Sequence, residues 1–221
     1  MSVLLLVRHG QASWGEADYD RLSALGEEQS RVVGAALSAR GVQPDLVVRG
    51  AMLRHRQTTD GAVAGSGWTG EVVEDAGWDE FDHEQMLELH PSGLEEGEEL
   101  TRAAFARWFE EATRRWTSDE FADEYDESFA AFTERVDAAL RRTVERLGDG
   151  RTAVVVTSGG PIAWVAAALL DGGAAVWARL NPVTVNTSVT KVVVGRRGST
   201  LVSFNDHSHL EGEGHRLLSY R

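Results

Sequence analysis

Close to its start the chain contains Val3-Leu4-Leu5-Leu6-Val7-Arg8-His9-Gly10-Gln11, an apolar run that stops abruptly at two basic residues and a glycine. A short aliphatic run bounded in this way is typical of a buried β-strand that ends in a loop. In open α/β sheets, ligands bind beyond the carboxyl ends of such strands. We therefore expect a central strand here, with Arg8 and His9 at a ligand site.

The residue types after this strand suit phosphate chemistry. The Arg8 guanidinium offers a fixed fork of donors to phosphate oxygens. A neutral His9 imidazole is a competent nucleophile, and a neighbouring cation lowers its pKa. Gly10 lets the backbone approach a ligand closely. An Arg-His-Gly tripeptide is also frequent by chance, with the histidine hydrogen-bonded into a turn, so the interpretation needs support from the rest of the chain.

Three further strand ends offer polar, basic or glycine-rich residues. A strand over residues 45–48 precedes Arg54-His55-Arg56-Gln57-Thr58, which opens a helix-like stretch. Glu80 follows a third short strand, and residues 153–156 lead into Thr157-Ser158-Gly159-Gly160-Pro161. Four strand ends therefore supply candidate ligand-binding residues in sequence order.

With these four motifs the chain resembles the histidine phosphatase superfamily, also called phosphoglycerate mutase-like. That family shows an N-terminal Arg-His-Gly, a mid-chain Arg-x-x-Gln-Thr, an acidic residue and a late His-Gly-Gly. The resemblance runs from Leu4 to about Leu210, more loosely between about 84 and 150. It implies an α/β fold with a mostly parallel central sheet flanked by helices. We expect a single domain over residues 1–221 with a helical insertion at about 84–150.

The resemblance also implies roles for four residues. His9 corresponds to the phosphoryl acceptor, Arg8 and Arg54 to the phosphate clamps, and Glu80 to the proton donor for the leaving oxygen. The implied reaction is hydrolysis of a small phosphate monoester through phosphohistidine, in which one carboxylate serves as acid and then as base. We expect no metal and no other cofactor, because two guanidiniums supply the charge that magnesium supplies at other phosphoryl-transfer sites.

The fourth motif departs from the family pattern, because Ser158 stands where the family commonly has its second pocket histidine. A charge-assisted hydrogen bond from an imidazolium contributes roughly 1.5 to 3 kcal/mol, and a neutral hydroxyl about 0.5 to 1.5. The difference predicts a loss on the order of ten- to a hundredfold in rate if nothing compensates. His55, or one of the other histidines, is a candidate to replace the missing imidazole.

Four residues are predicted substrate contacts: Gly10, Gln11, Ser158 and Gly159. Pro161, read as a first helical position, marks a helix N-terminus suited to anions just after the last two. For Gln11, a polar loop cap is the alternative role.

Two residues near the nucleophile loop carry further expectations. Trp14 is the tryptophan that we expect to line an apolar leaving-group pocket, since it follows that loop closely. Ser23 is a candidate N-cap for the helix that follows it.

Composition bounds the class of protein. With 221 residues and 42% hydrophobic content, the chain can bury one substantial core. The absence of cysteine excludes disulfides, thiolate catalysis and cysteine-ligated zinc, and it fits a reducing cytosol. The N-terminal apolar run is five residues long with no basic residue ahead of it, which predicts neither a signal peptide nor a membrane span. We expect a cytoplasmic protein.

The net charge of −13 disfavours nucleic acid as a partner, because sequence-independent affinity for nucleic acid comes from basic patches. Most of the acidic excess lies between residues 71 and 149. Aromatic and aliphatic residues there recur at three- and four-residue intervals from Phe105 to Trp116 and from Phe129 to Leu140, which predicts two amphipathic helices. Packing on the sheet and a lid over the pocket are equal alternatives for them. The oligomeric state cannot be predicted.

Other functions remain open at this point. A non-catalytic phospholigand-binding domain is motivated by Ser158. A mutase is disfavoured, because the family's mutases typically show Trp-Asn after the first motif and this chain has Trp14-Gly15. The His207-Ser208-His209 pair favours structural or surface roles over metal binding. Ser158 as a hydrolase nucleophile is disfavoured, because Val156 stands where a Gly-x-Ser-x-Gly elbow needs glycine.

Overall fold

A computed structural model describes residues 1–13, 20–93, 101–212 and 215–220, without the side chains of residues 102 and 119. Its sheet has the strand order β3-β2-β4-β1-β5-β6. The strands are β1 (Ser2–Arg8), β2 (Leu46–Arg49), β3 (Glu71–Glu74), β4 (Thr152–Thr157), β5 (Val189–Gly195) and β6 (Gly198–Asp206). Strands β1 to β4 lie where the sequence pattern predicts strands.

The sheet is mostly parallel, as predicted. Strand β1 pairs in parallel with β4, β4 with β2, and β2 with β3. Strand β5 pairs antiparallel with β1 on one side and with the edge strand β6 on the other. The register places Arg8 opposite Thr157, so the carboxyl ends of β1 and β4 lie side by side. The residues that follow these two strands therefore share one edge of the sheet.

The helices of the described residues connect these strands. They are α1 (Ala24–Ala39), α2 (Leu53–Ser66), α3 (His83–Glu88), α4 (Arg102–Trp116), α5 (Phe129–Leu147), α6 (Gly159–Leu169) and α7 (Gly173–Leu180). Short 3-10 helices cover Ala76–Trp78, Asp119–Glu124, Asn181–Val183 and Ser208–Leu210. The predicted N-cap of α1 is confirmed, since the Ser23 side chain accepts a hydrogen bond from Gly26 N at 3.1 Å.

Strand β1 is buried on both faces, which explains its unbroken apolar sequence. Leu5 and Val7 belong to a core cluster with Val33 of α1 and Ala62 of α2. Successive side chains of a strand point to opposite faces, so Leu4 and its neighbour Leu6 face the other way, and both are fully buried. The strand is fixed from both sides, and its end is a rigid platform for Arg8 and His9.

The chain divides into two compact units: residues 1–80 with 136–221, and residues 81–135. The smaller unit contains α3, α4 and the start of α5. Its aromatic core stacks Phe81 on Trp116 at a ring distance of 4.6 Å and places Phe132 at 5.7 Å from Phe81. The two predicted amphipathic helices are confirmed as α4 and α5. The single domain with an insertion at about 84–150 stays a prediction.

Some predictions lie outside the described residues. Trp14, the predicted lining of a leaving-group pocket, is one of them. Within the described part of the chain, every helix is too short or too polar to cross a lipid bilayer.

Candidate active site

His9 follows β1 directly and is almost completely buried. Its Nδ1 atom lies 2.7 Å from the carbonyl oxygen of Gly10. A carbonyl oxygen can only accept, so this contact requires hydrogen on Nδ1, and the neutral ring then carries its free lone pair on Nε2. The loop geometry therefore selects the tautomer in which Nε2 is the nucleophilic atom.

The backbone of the His9 loop is held by the segment that precedes β5. Asn186 Nδ2 donates to the His9 carbonyl at 3.1 Å, and Thr187 N donates to the Arg8 carbonyl at 3.1 Å. Thr187 has a φ of 56°, a left-handed conformation that is uncommon for a β-branched residue. No motif or periodicity in the sequence predicts that this segment positions the nucleophile.

The Arg-x-x-Gln-Thr motif on α2 also holds the nucleophile loop. Thr58 Oγ1 accepts from Gly10 N at 3.0 Å and donates to the Arg54 carbonyl at 2.7 Å. Gln57 Oε1 accepts from Leu22 N at 2.8 Å. The motif thus joins the phosphate-clamp candidate Arg54 to the loop that carries His9.

Gly10 and Gln11 pack tightly against the start of α1. A β-carbon on Gly10 would lie 2.4 Å from the carbonyl oxygen of Gly26, so only glycine allows this approach. Gln11 N donates to Gln29 Oε1 at 2.8 Å, and the Gln11 side-chain oxygen accepts from Ser23 Oγ at 2.9 Å. These contacts hold the loop that carries His9 against α1, and the Gln11 side-chain oxygen is hydrogen-bonded to Ser23.

The two predicted phosphate clamps, Arg8 and Arg54, are each held by hydrogen-bond acceptors that are distant in sequence. Arg54 Nη1 pairs with Asp20 Oδ1 at 2.8 Å, and the other oxygen of Asp20 accepts from Leu53 N at 2.6 Å. Arg8 Nη1 donates to the carbonyl oxygens of Tyr220, at 2.6 Å, and of Thr184. The guanidiniums are therefore oriented by acceptors of the protein itself.

The electrostatics around His9 favour a neutral imidazole. Burial, then the positive charges of Arg54 and Arg8 and the neighbouring His55, hold the pKa of His9 well below its ordinary value. The Gly10 carbonyl opposes this shift only in part. A histidine in this environment stays unprotonated, and hence nucleophilic, at neutral pH.

The end of β4 places Ser158 at the N-cap position of α6, fully buried. Its hydroxyl does not cap the helix and instead lies 2.7 Å from His55 Nε2. The helix begins at Gly159, so Pro161 is its third residue. The prediction that Pro161 is the first helical residue is therefore wrong. Ser158 thus occupies the N-cap position without capping the helix, because its hydroxyl is engaged by His55 of α2.

Glu80 and Gly159 complete the edge of the site. Glu80 Oε2 accepts from Gly160 N at 3.1 Å, which holds the carboxylate at the N-terminus of α6. A β-carbon on Gly159 would lie 3.6 Å from Arg8 Nε, so this glycine lies close to the Arg8 guanidinium.

His55 and Asp79 extend the site beyond the predicted residues. His55 is fully buried, and its ring centre lies 5.7 Å from that of His9. Asp79 Oδ1 lies 3.4 Å from His55 Nδ1, a charge contact that does not meet the geometry of a hydrogen bond. The sequence left His55 as one of several candidate histidines and gave no signal for Asp79.

The structure therefore gathers the predicted residues around the ends of β1 and β4, with Arg54 contributed by α2: Arg8, His9, Gly10, Gln11, Arg54, Glu80, Ser158 and Gly159. The late histidine pair has other contacts, since His207 Nδ1 lies 2.7 Å from the Asn205 carbonyl. Over the described ranges, no group of three or more histidine, aspartate or glutamate side chains is placed to hold a metal ion.

In this α/β fold, a buried, neutral histidine lies beside two arginines, Arg8 at the end of β1 and Arg54 on α2, an arrangement suited to phosphoryl transfer. Residues 4–207 match the histidine phosphatase superfamily, branch 1, and the chain belongs to that family. It is therefore a phosphatase by family. No curated protein matches the chain in sequence.

Solved structures share the fold. One is a phosphoserine phosphatase mutant from Entamoeba histolytica in complex with phosphoserine, with a TM-score of 0.68, 22% identity, and coverage of 95% of this chain and 100% of that one. Another is YhfR of Bacillus stearothermophilus, with a TM-score of 0.71, 23% identity, and coverage of 95% and 99%. A mycobacterial glucosyl-3-phosphoglycerate phosphatase complexed with VO3 has a TM-score of 0.65, 24% identity, and coverage of 92% and 98%.

Proposed function

We propose that the protein is a metal-independent phosphomonoester hydrolase that forms phosphohistidine on His9 and acts on a small phosphorylated substrate. The observation that carries this proposal is the state of His9: buried, with Nδ1 held by Gly10 at 2.7 Å and Nε2 left as the nucleophilic atom. Arg8 and Arg54 supply positive charge beside it.

In the first half-reaction, His9 Nε2 attacks the phosphorus in line as the bond to the leaving oxygen breaks. The guanidiniums of Arg8 and Arg54 stabilise the charge on the equatorial oxygens. The Glu80 carboxyl group donates its proton to the departing alkoxide. The products of this step are the alcohol, phosphohistidine and the Glu80 carboxylate.

In the second half-reaction, the Glu80 carboxylate takes a proton from water as the water oxygen attacks the phosphorus. The bond between phosphorus and His9 Nε2 breaks, inorganic phosphate leaves, and His9 returns to its neutral form. The same carboxylate serves both steps, because the first step leaves it in the form that the second requires.

The proposed substrate is small and anionic. Solved structures with this fold include a phosphoserine phosphatase in complex with phosphoserine and with 3-phosphoglyceric acid, and a glucosyl-3-phosphoglycerate phosphatase. Small phosphate monoesters are therefore the first panel to test. The net charge of −13 disfavours long polyanions. We also propose a cytoplasmic location, on the grounds of a chain without cysteine.

Phosphate release from such a panel, with a chelator present, tests the proposal. We expect chelator-resistant turnover in the wild type and none in His9→Ala. His215→Ala, which removes an exposed histidine, is the matched control and should keep wild-type turnover. Turnover that survives His9→Ala, or that the chelator abolishes, would contradict the mechanism.

The second candidate function is a phospholigand-binding domain with weak or no catalysis, and Ser158 in place of the family histidine is the observation that favours it. The two functions separate in the same experiment. A binding domain would bind phosphate monoesters with similar affinity in wild type and His9→Ala but release no phosphate from either.

A further inference from the structure

We propose that His55, Asp79 and Ser158 form a relay, with the histidine and the serine fully buried, that presents the Ser158 hydroxyl to an oxygen of the bound phosphoryl group. In this relay His55 is a positioning residue that replaces the imidazole missing at position 158. The identity of the ligand rests on the proposed function, whereas the relay itself rests on the geometry of three side chains.

His55 lies between the other two side chains and contacts each through a different ring nitrogen. Asp79 Oδ1 lies 3.4 Å from His55 Nδ1, and His55 Nε2 lies 2.7 Å from Ser158 Oγ. The His55 ring lies 5.7 Å from the ring of the nucleophile His9. The imidazole therefore occupies the nucleophile's pocket, although it is contributed by α2 and not by the end of β4.

The backbone at Gly50 leaves the space that this pair requires. A β-carbon on Gly50 would lie 2.1 Å from His55 Nδ1 and 2.5 Å from Asp79 Oδ1. Asp79 Oδ1 also accepts from Ala51 N at 2.6 Å, which fixes the carboxylate beside the ring. The contact between His55 and Asp79 is thus a built feature of the turn between β2 and α2.

The protonation state of His55 decides what Ser158 can do. With neutral His55, whose Nδ1 hydrogen faces Asp79, the serine hydroxyl donates its only hydrogen to Nε2. With protonated His55, Nε2 donates to Ser158 Oγ, and the hydroxyl hydrogen is free for another acceptor. A phosphoryl oxygen in the pocket is that acceptor, so ligand binding and one proton on His55 favour each other.

Charged groups from several elements face His55. Burial lowers the pKa of His55, and the Arg54 charge lowers it further, whereas Asp79 and Glu80 raise it. His9, the remaining titratable neighbour, is itself held neutral. These groups together keep His55 neutral, and a bound dianion would add the negative charge that favours the protonated form.

Sulfate is the probe for this relay, because it is a tetrahedral dianion that does not titrate between pH 5 and 8. Its affinity can be measured by calorimetry, or by its protection against thermal unfolding, without any turnover. We expect the wild type to bind sulfate more weakly as the pH rises, since binding takes up a proton. In His55→Phe we expect affinity to fall about ten- to a hundredfold and this pH dependence to flatten.

A double variant tests whether the imidazole can be moved. His55→Ala combined with Ser158→His exchanges side-chain volume across the 2.7 Å contact and returns an imidazole to the family position. We expect it to recover most of the affinity that His55→Ala loses. Arg56→Ala, the exposed neighbour on the same helix, is the control and should bind like the wild type. If His55→Phe does not fold, His55→Gln keeps a side-chain amide near Ser158 but cannot take up a proton.

The outcomes separate the relay from the proposed function. Sulfate affinity and pH dependence unchanged in His55→Phe or His55→Gln would overturn the relay, even if turnover depends on His9. A folded double variant that binds as weakly as His55→Ala would also overturn it. If the expected sulfate results hold while no monoester is hydrolysed, the relay stands as an anion-binding device and the proposed function fails.

Discussion

The ends of β1 and β4 lie side by side in the sheet but are built in different ways. At the end of β1, the imidazole of His9 belongs to the strand's own continuation and is oriented by the next carbonyl along the chain, 2.7 Å away. At the end of β4, the chain supplies only the hydroxyl of Ser158, and an imidazole reaches it from α2 at 2.7 Å. The imidazole at the β1 end thus comes from the residue that follows the strand, whereas the imidazole at the β4 end comes from a helix that is distant in sequence.

This comparison shows which groups of a phosphate-binding site must come from one particular position in the sequence. Chemistry at the phosphorus needs a particular nucleophilic atom, and a rigid strand end holds that atom best. A hydrogen-bond donor to a phosphoryl oxygen needs only to be near and correctly protonated, so several elements can supply it. We therefore expect changes at the β1 end to be the more damaging.

Replacement of His9 gives the largest effect. Without its nucleophile the proposed mechanism cannot proceed, and His9→Ala should lower kcat by at least about 10⁴-fold. Steady-state phosphate release measures this, with His215→Ala as the control. A loss in His9→Ala no larger than the loss in Ser158→Ala would remove the distinction between the two strand ends.

Glu80→Gln should be the next most damaging change, with a loss of about 10²- to 10⁴-fold in kcat for alkyl phosphates. The side chain keeps its size but can no longer donate a proton to the leaving oxygen. An aryl phosphate with an acidic leaving group needs less protonation and should suffer a smaller loss. Equal losses for both substrate types would contradict the role of general acid.

Arg54→Gln should lower kcat/KM by about 10²- to 10³-fold, since it removes one charged donor to the phosphoryl oxygens. It should also raise the pKa of His9, because the Arg54 charge lowers it in the wild type. The acid limb of the pH profile should then move to higher pH, where His9 becomes neutral. Arg56→Gln, on the same helix, is the control for charge. An unmoved acid limb would show that Arg54 does not act on His9.

The smallest expected effect is a change in how the free energy of unfolding depends on pH when His9 or His55 is replaced. The pKa values of His9 and His55 are both lowered on folding, so the unfolded chain binds more protons below the ordinary value of 6.5, and stability falls as the pH falls through that value. Each histidine changes the free energy of unfolding by at most about 1.4 kcal/mol per pH unit. Because Asp79 opposes the shift at His55, His9→Gln should flatten this dependence more than His55→Gln. Urea unfolding near pH 5 and 7 measures the difference, and the reverse order would contradict the assignment of Asp79.

The β1 end could be predicted from sequence because its information is local. An apolar run that stops at Arg8 and His9 specifies both a buried strand and the place where it ends, and Ser23 specifies the start of α1 in the same way. Even local signals err by a residue or two, as at Pro161, because a proline is tolerated throughout the first turn of a helix.

At the β4 end, Ser158 and Gly159 could be predicted as substrate contacts, and His55 only as one of several candidate histidines. The grouping of Ser158 with His55 and Asp79 could not be predicted, because the three residues come from separate segments of the chain. His55, Asp79 and Ser158 show no periodicity or motif that relates them, and they meet only when α2 packs beside β4 and the chain turns closely at Gly50. The segment that holds the His9 backbone, at Asn186 and Thr187, is equally distant in sequence. Contacts of this kind depend on the packed sheet and not on any local pattern.

The most direct test of the proposed mechanism is to trap the phosphoryl enzyme. Wild-type protein is mixed with a substrate from the panel, quenched within one turnover under alkaline conditions that preserve phosphohistidine, and mapped by mass spectrometry. The mechanism predicts a phosphoryl group on His9, formed at least as fast as kcat and absent from His9→Ala. Steady phosphate release with His9 unmodified, or with the phosphoryl group on another residue, would contradict it.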